Sequence, residues 1–173
     1  MSRSLCRWLD EYRAHWHLYP LWRALYHSNP EIALVPPASL VANALTMRRV
    51  GFHLYRRVIE IRDGVLALRR HFDPRVAHAA RERGRAAGLV DEDLQALVEA
   101  ESLIGALRAK EQGLAPVEAA LPTDAVGGTD LPSEASYLQK VARYYAEEAR
   151  RQRLAPGGPT RRGQRHRIAG RRP

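Results

Sequence analysis

The chain has 173 residues, 45% of them hydrophobic, 27% charged and 7% aromatic, with a formal net charge of +9 and one cysteine. That content is too apolar for a wholly disordered chain, a single cysteine excludes an internal disulfide framework, and the size suits one globular domain with a polar tail. The longest stretch free of Asp, Glu, Lys and Arg, 32–47, carries Pro36 and Pro37 and makes a poor membrane span, while Arg3, Arg7, Asp10, Glu11 and Arg13 interrupt any secretory signal; a cytoplasmic protein is expected.

Helical periods run through the chain and no strand alternation of useful length appears, so the expected fold is all-α. A single compact bundle of about five helices over 1–154 would carry a disordered basic tail over 155–173. The first helix, 5–28, places Trp8, Tyr12, Trp16, Tyr19, Trp22 and Tyr26 at intervals of three or four, lining six rings along one stripe. Pro20 lacks an amide hydrogen, which predicts a kink or two shorter helices meeting near Tyr19. Asn29-Pro30 closes this element, and Pro36-Pro37 predicts an extended connector.

A long central helix is expected over about 40–72. Met47, Val50, Leu54, Val58, Ile61, Val65 and Leu68 step by three or four residues and form one oily ridge. Gly64 within it costs about 1 kcal/mol relative to Ala, so a close neighbour or a break is expected there. Asp73-Pro74 is an N-cap and first-turn pair opening a helix over 74–87, with Val76, Ala79, Ala80 and Arg83 as its inner stripe and Gly88 as its stop. Asp91, Glu92 and Asp93 place acid at the positive end of the next helix, 91–112, whose buried stripe would be Leu94, Leu97, Ala100, Ile104 and Leu107. This helix is expected to lie antiparallel to the central one. A loop over 114–129 precedes the last helix, 131–153, which would bury Ala135, Leu138, Val141 and Tyr145.

Charge is laid out unevenly. From Arg150 to the end there are nine arginines and no acid, whereas 1–90 holds 15 basic and 7 acidic residues and 91–149 holds 4 and 12. Attraction between two oppositely charged halves of the domain is the expected account of the body, with a nucleic-acid face as the alternative. For the tail, Arg150, Arg151, Arg153, Arg161, Arg162, Arg165 and Arg167, together with Trp8 and Trp16 on the aromatic helix, form a candidate surface for anionic lipid or nucleic acid. Nucleic acid is the weaker of these, because no aromatic follows Tyr145 for base stacking. The aromatic stripe is otherwise core packing or a groove for a partner. His53, Arg56, Arg57, Glu60, Arg62 and Asp63 gather on the polar side of the central helix and form a candidate partner-binding face; the competing reading is an ion-pair network that ties the helix to its neighbours. Catalytic motifs are missing. The seven histidines are scattered, with only Glu11–His15 and His78–Glu82 at helical spacing, so no metal, cofactor or enzymatic activity is expected.

Leu21-Trp22-Arg23-Ala24-Leu25, Pro30-Glu31-Ile32-Ala33-Leu34 and above all Leu54-Tyr55-Arg56-Arg57-Val58-Ile59-Glu60-Ile61-Arg62-Asp63-Gly64 resemble an uncharacterised actinobacterial domain. It is found as the cytosolic C-terminal part of transporter-like multi-pass membrane proteins. The likeness runs over roughly 8–149, and its distinctive words lie in the first half. Hydrophobic spans precede the domain in such proteins, and no such span is expected within these 173 residues, so the resemblance implies a setting and no chemistry. It implies a non-catalytic interaction or regulatory domain, at the inner face of the membrane, that binds a protein partner such as a membrane protein through the charged helix face. Electrostatic binding to an anionic membrane or nucleic acid is the alternative.

Overall fold

A computed structural model describes residues 2–32, 50–117 and 130–154, with backbone alone at 2–4, 7 and 152–154. Among the described residues there are six α-helices and no strand. The first aromatic segment forms two helices, α1 (Ser2–His17) and α2 (Tyr19–Ser28). Pro20 falls in the first turn of α2, where a missing amide costs nothing. Around the join, Leu18 donates its N–H to the Ala14 carbonyl and accepts from the Trp22 N–H, both at 3.0 Å. A 3-10 turn, Pro30–Ile32, follows.

The central helix, α3, is described over Val50–Leu68 and runs into a 3-10 turn, Arg69–His71. Six of its seven ridge positions are buried: Val50, Leu54, Val58, Ile61, Val65 and Leu68. Met47 and the helix start expected near residue 40 lie outside the described residues. Gly64 is explained by close approach, since a Cβ there would stand 3.0 Å from Leu25 Cβ and 3.1 Å from Ile32 Cδ1. Its missing side chain lets α2 and the turn after it settle against α3.

Helix α4 (Pro74–Ala86) is capped by Asp73, whose carboxylate accepts the Arg75 N–H at 2.8 Å. Helix α5 (Asp91–Glu111) has its three acids in the first turn and Arg108 and Lys110 in the last, matching both ends of the dipole. Gly88 and Gly113 adopt positive φ after α4 and α5 and let the chain turn away. Helix α6 (Leu131–Leu154) begins at a reciprocal cap, in which the Ser133 N–H reaches Asp130 Oδ1 at 2.9 Å and the Asp130 N–H reaches Ser133 Oγ at 3.2 Å.

Two packing arrangements meet in one core. Helices α4 and α6 hold α5 between them, while α1 and α2 pack along α3. α3 also touches α5, but it spends its ridge mainly on α1 and α2. Leu18, Leu21, Leu25, Ile61, Leu68, Leu103, Leu138 and Val141 are fully buried and join the two halves.

The inner stripes shift slightly from those expected. On α4 the buried positions are Ala77, Ala80 and Gly84, with Ala79 and Arg83 exposed and Val76 half-buried. Small residues win there because α4 and α5 sit close. Held from both sides, α5 buries Ala96, Ala100, Leu103, Ile104 and Ala106, leaving Leu94, Leu97 and Leu107 half-buried. On α6, Tyr137 and Ala142 join Ala135, Leu138 and Val141 in the core, and Tyr145 stays half-buried. Among the described residues no helix is long and apolar enough to cross a membrane.

Candidate functional site

The polar residues of α3 divide into those drawn inward and those left outside. Arg57 is 6% exposed and Glu60 5% exposed, so the expectation that this flank stands free is corrected for both. Their partners come from α1, α2 and α3 itself. Glu60 accepts the Trp22 indole N–H at 2.7 Å and the Arg56 Nε–H at 2.8 Å. Arg57 donates to the His15 carbonyl at 2.8 Å, and its guanidinium lies over the rings of Tyr19 and Trp22 at 5.2 and 4.9 Å. Burial pulls the Arg57 pKa down to about 10, against the opposing charge of the Glu60 carboxylate. Arg57 still keeps its charge at neutral pH, so the seam is a paired, hydrogen-bonded ionic site.

Arg62 leaves α3 on the other side. It pairs with Glu99 of α5 at 2.8 Å and with Glu134 of α6, and stacks over Tyr137 at 5.5 Å. Tyr137 in turn donates its hydroxyl to Glu99 at 2.7 Å. Burial would lower the Arg62 pKa, but Glu99 and Glu134 outweigh it and raise it, while burial and the same carboxylates push the Tyr137 phenol up. Arg62 is thus an internal brace between α3, α5 and α6, as the ion-pair reading expects.

His53 is half-buried, with its ring 6.4 Å from that of His15 and 5.8 Å from that of Phe52. Nδ1 of His15 is buried with no hydrogen-bond partner, and desolvation, helped by the Arg57 and His53 charges, pulls the His15 pKa down to about 4. Asp63 alone of the six candidates is exposed, and it makes no ion pair with a described residue. It lines an open cleft of about 550 Å³ with Asn29, Glu31, Ile32, Ile59, Glu60, Ala67 and Arg70.

The aromatic stripe joins the core at its α2 end, where Tyr19 and Tyr26 pack against the cluster that holds Trp22. Only Trp22 is buried. Trp8, Tyr12, Trp16, Tyr19 and Tyr26 are half-buried, and the six rings form a ladder with successive centroids 5.4 to 6.2 Å apart. Trp8 and Trp16 are rungs of this ladder along the flank of α1. Arg150 and Arg151 are exposed near the end of α6, with Arg151 3.6 Å from a Glu148 oxygen. The side chain of Arg153, and Arg161, Arg162, Arg165 and Arg167 entirely, lie outside the described residues.

One feature of α3 was not anticipated. Phe52, Tyr55, Ile59 and Leu66 are 59%, 48%, 38% and 60% exposed. At 100° per residue they fall within a 60° arc opposite the buried ridge, and Asp63 sits at its edge. The helix is therefore oily on two faces, with ionic flanks that are already satisfied internally. The signal was present in the sequence as the seven-residue interval of Phe52, Ile59 and Leu66, hidden by the arginines between them.

Among the described residues no group of three or more His, Cys, Asp and Glu is placed to hold a metal ion, and Cys6 is exposed. Fold and surface together define an all-helical domain with an internally braced central helix and one bare apolar face. Over residues 7–150 the chain matches a family of unknown function (DUF6545), and it belongs to that family. No curated protein and no solved structure matches it.

Proposed function

We propose that the chain is a non-catalytic interaction domain that docks a protein partner through the outer face of α3, with Phe52, Tyr55, Ile59 and Leu66 as the contact stripe and Asp63 as its polar edge. The carrying observation is the two-faced helix. An amphipathic surface helix has one apolar stripe, and a helix with two is ordinarily covered on both. Within the charged face expected from sequence, Arg57, Glu60 and Arg62 serve the fold, which leaves Asp63 as the group available to a partner. The resemblance to domains attached to transporter-like membrane proteins extends the proposal to its setting, an actinobacterial cytoplasm at the inner face of the membrane.

A photo-crosslinking residue introduced in cells at Leu66, and at Arg81 on the exposed side of α4 as the control, tests this. An adduct is expected from position 66, absent from position 81 and lost when Ile59→Glu is added. Equal labelling at both positions, or none at 66, refutes the docking face.

A further inference from the structure

We infer that the occupant of this face is a second copy of the chain, paired through antiparallel α3 helices about a two-fold axis at Ile59. The inference rests on the docking face proposed above and adds the partner. It follows from the register of the exposed residues. Phe52 and Leu66 lie seven residues before and seven after Ile59, so an antiparallel mate centred there sets Phe52 opposite Leu66 of the other copy, and Ile59 against its own counterpart. The same operation sets Tyr55 opposite Asp63 of the other copy. That brings a phenol donor to the one carboxylate of the face with no ion pair to a described residue.

The face also carries no net repulsion against itself. Arg56 falls opposite Arg62 of the other copy, yet Arg56 is held by Glu60, and Arg62 by Glu99 and Glu134, so neither guanidinium arrives without its counter-charge. The four apolar residues expose roughly 400 Å² per copy, judged from their fractional exposure. A pair would thus remove about 800 Å² before flanking residues are counted, about two-thirds of the 1,200 Å² at which specific interfaces begin. A crossing of helices by ridges into grooves adds those flanks while carrying the helix ends apart. Association of micromolar strength, reversible on dilution, is the expectation.

Sedimentation equilibrium of the full chain over about 1 to 200 μM, in low and high salt, reads the association. A monomer–dimer equilibrium is expected, not weakened by salt because the contact is apolar. Phe52→Lys and Leu66→Glu should each raise the dimer Kd about tenfold or more. Combining them places each introduced lysine opposite an introduced glutamate and should restore most of the affinity. That recovery also shows that neither single change acts by unfolding the chain. Ile59→Cys in a Cys6→Ser background should form an intermolecular disulfide on mild oxidation, and Arg81→Cys should not. A monomer at every concentration, or single variants that dimerise like the parent, overturns the inference; so does a double variant weaker than both singles. Crosslinks from position 66 to a different protein, with a monomeric parent, would leave the docking face standing and remove only self-association. No crosslink and no dimer would remove both.

Discussion

Glu60→Ala is the sharpest perturbation of the seam between α2 and α3. The carboxylate is 5% exposed, accepts from Trp22 and Arg56, and is a principal counter-charge to the buried Arg57 guanidinium. Alanine leaves a buried indole N–H without its acceptor and a buried cation short of its anion. Breaking a buried pair from one side costs about 3–5 kcal/mol, which is a large share of a typical 5–15 kcal/mol domain stability. With a urea slope near 2 kcal/mol per molar, the unfolding midpoint followed by circular dichroism at 222 nm should fall by roughly 1.5–2.5 M. Arg56→Ala removes a pair whose arginine is a quarter exposed and should cost about 1 kcal/mol or less. A cycle of Trp22→Phe with Glu60→Gln isolates the indole–carboxylate bond, for which a coupling of about 1.5–3 kcal/mol is expected. Should Glu60→Ala stay within about 1 kcal/mol of the parent, the carboxylate behaves as a solvated surface group and the account of the seam is wrong.

Gly64→Ala, which on an open helix would gain about 1 kcal/mol, should instead lower the melting temperature, because the new methyl meets Leu25 Cβ at 3.0 Å. Arg62→Met leaves Glu99 and Glu134 facing one another and should cost about 2–3 kcal/mol at neutral pH, less than full burial implies because the arginine is 29% exposed. A loss below about 1 kcal/mol in urea unfolding would contradict the electrostatic explanation. For His15, whose pKa falls from 6.5 to about 4 on folding, the unfolded chain binds more protons between these values. Its contribution is present above about pH 6.5 and is lost as pH falls towards 4. His15→Phe should therefore narrow the gap between melting temperatures at pH 7 and pH 4.5, and an unaltered gap would show that His15 is solvated in the folded chain.

Much of this architecture can be read from periodicity, because local rules and packing agree. The ridge from Val50 to Leu68, the break before Pro20 and the caps at Asp73 and Asp130 each follow from a few neighbouring residues. The ionic groups of α3 are harder, because their fate depends on distant groups. Glu60 is buried by Trp22, 38 residues away, and Arg62 by Glu134, 72 residues away. A helical wheel places Arg57 and Glu60 at the edge of the ridge, where either burial or exposure is consistent with the sequence. Which one occurs depends on whether α1 and α2 close over that edge, and Gly64 is what brings α2 near enough. The outer stripe of Phe52, Tyr55, Ile59 and Leu66 was legible in principle, since it obeys the same helical period as the ridge. A reading that assigns each helix one apolar face stops before finding it.

The ring ladder of α1 and α2 gives the molecule a built-in optical probe. All three tryptophans, Trp8, Trp16 and Trp22, stand in that one row, and none lies in α3 to α6. Emission from indole therefore reports the attachment of the first two helices alone, while ellipticity reports all six. If the two signals follow one transition, the N-terminal pair and the remaining bundle melt as a single cooperative unit; if emission changes first, the seam at Glu60 opens before the rest gives way.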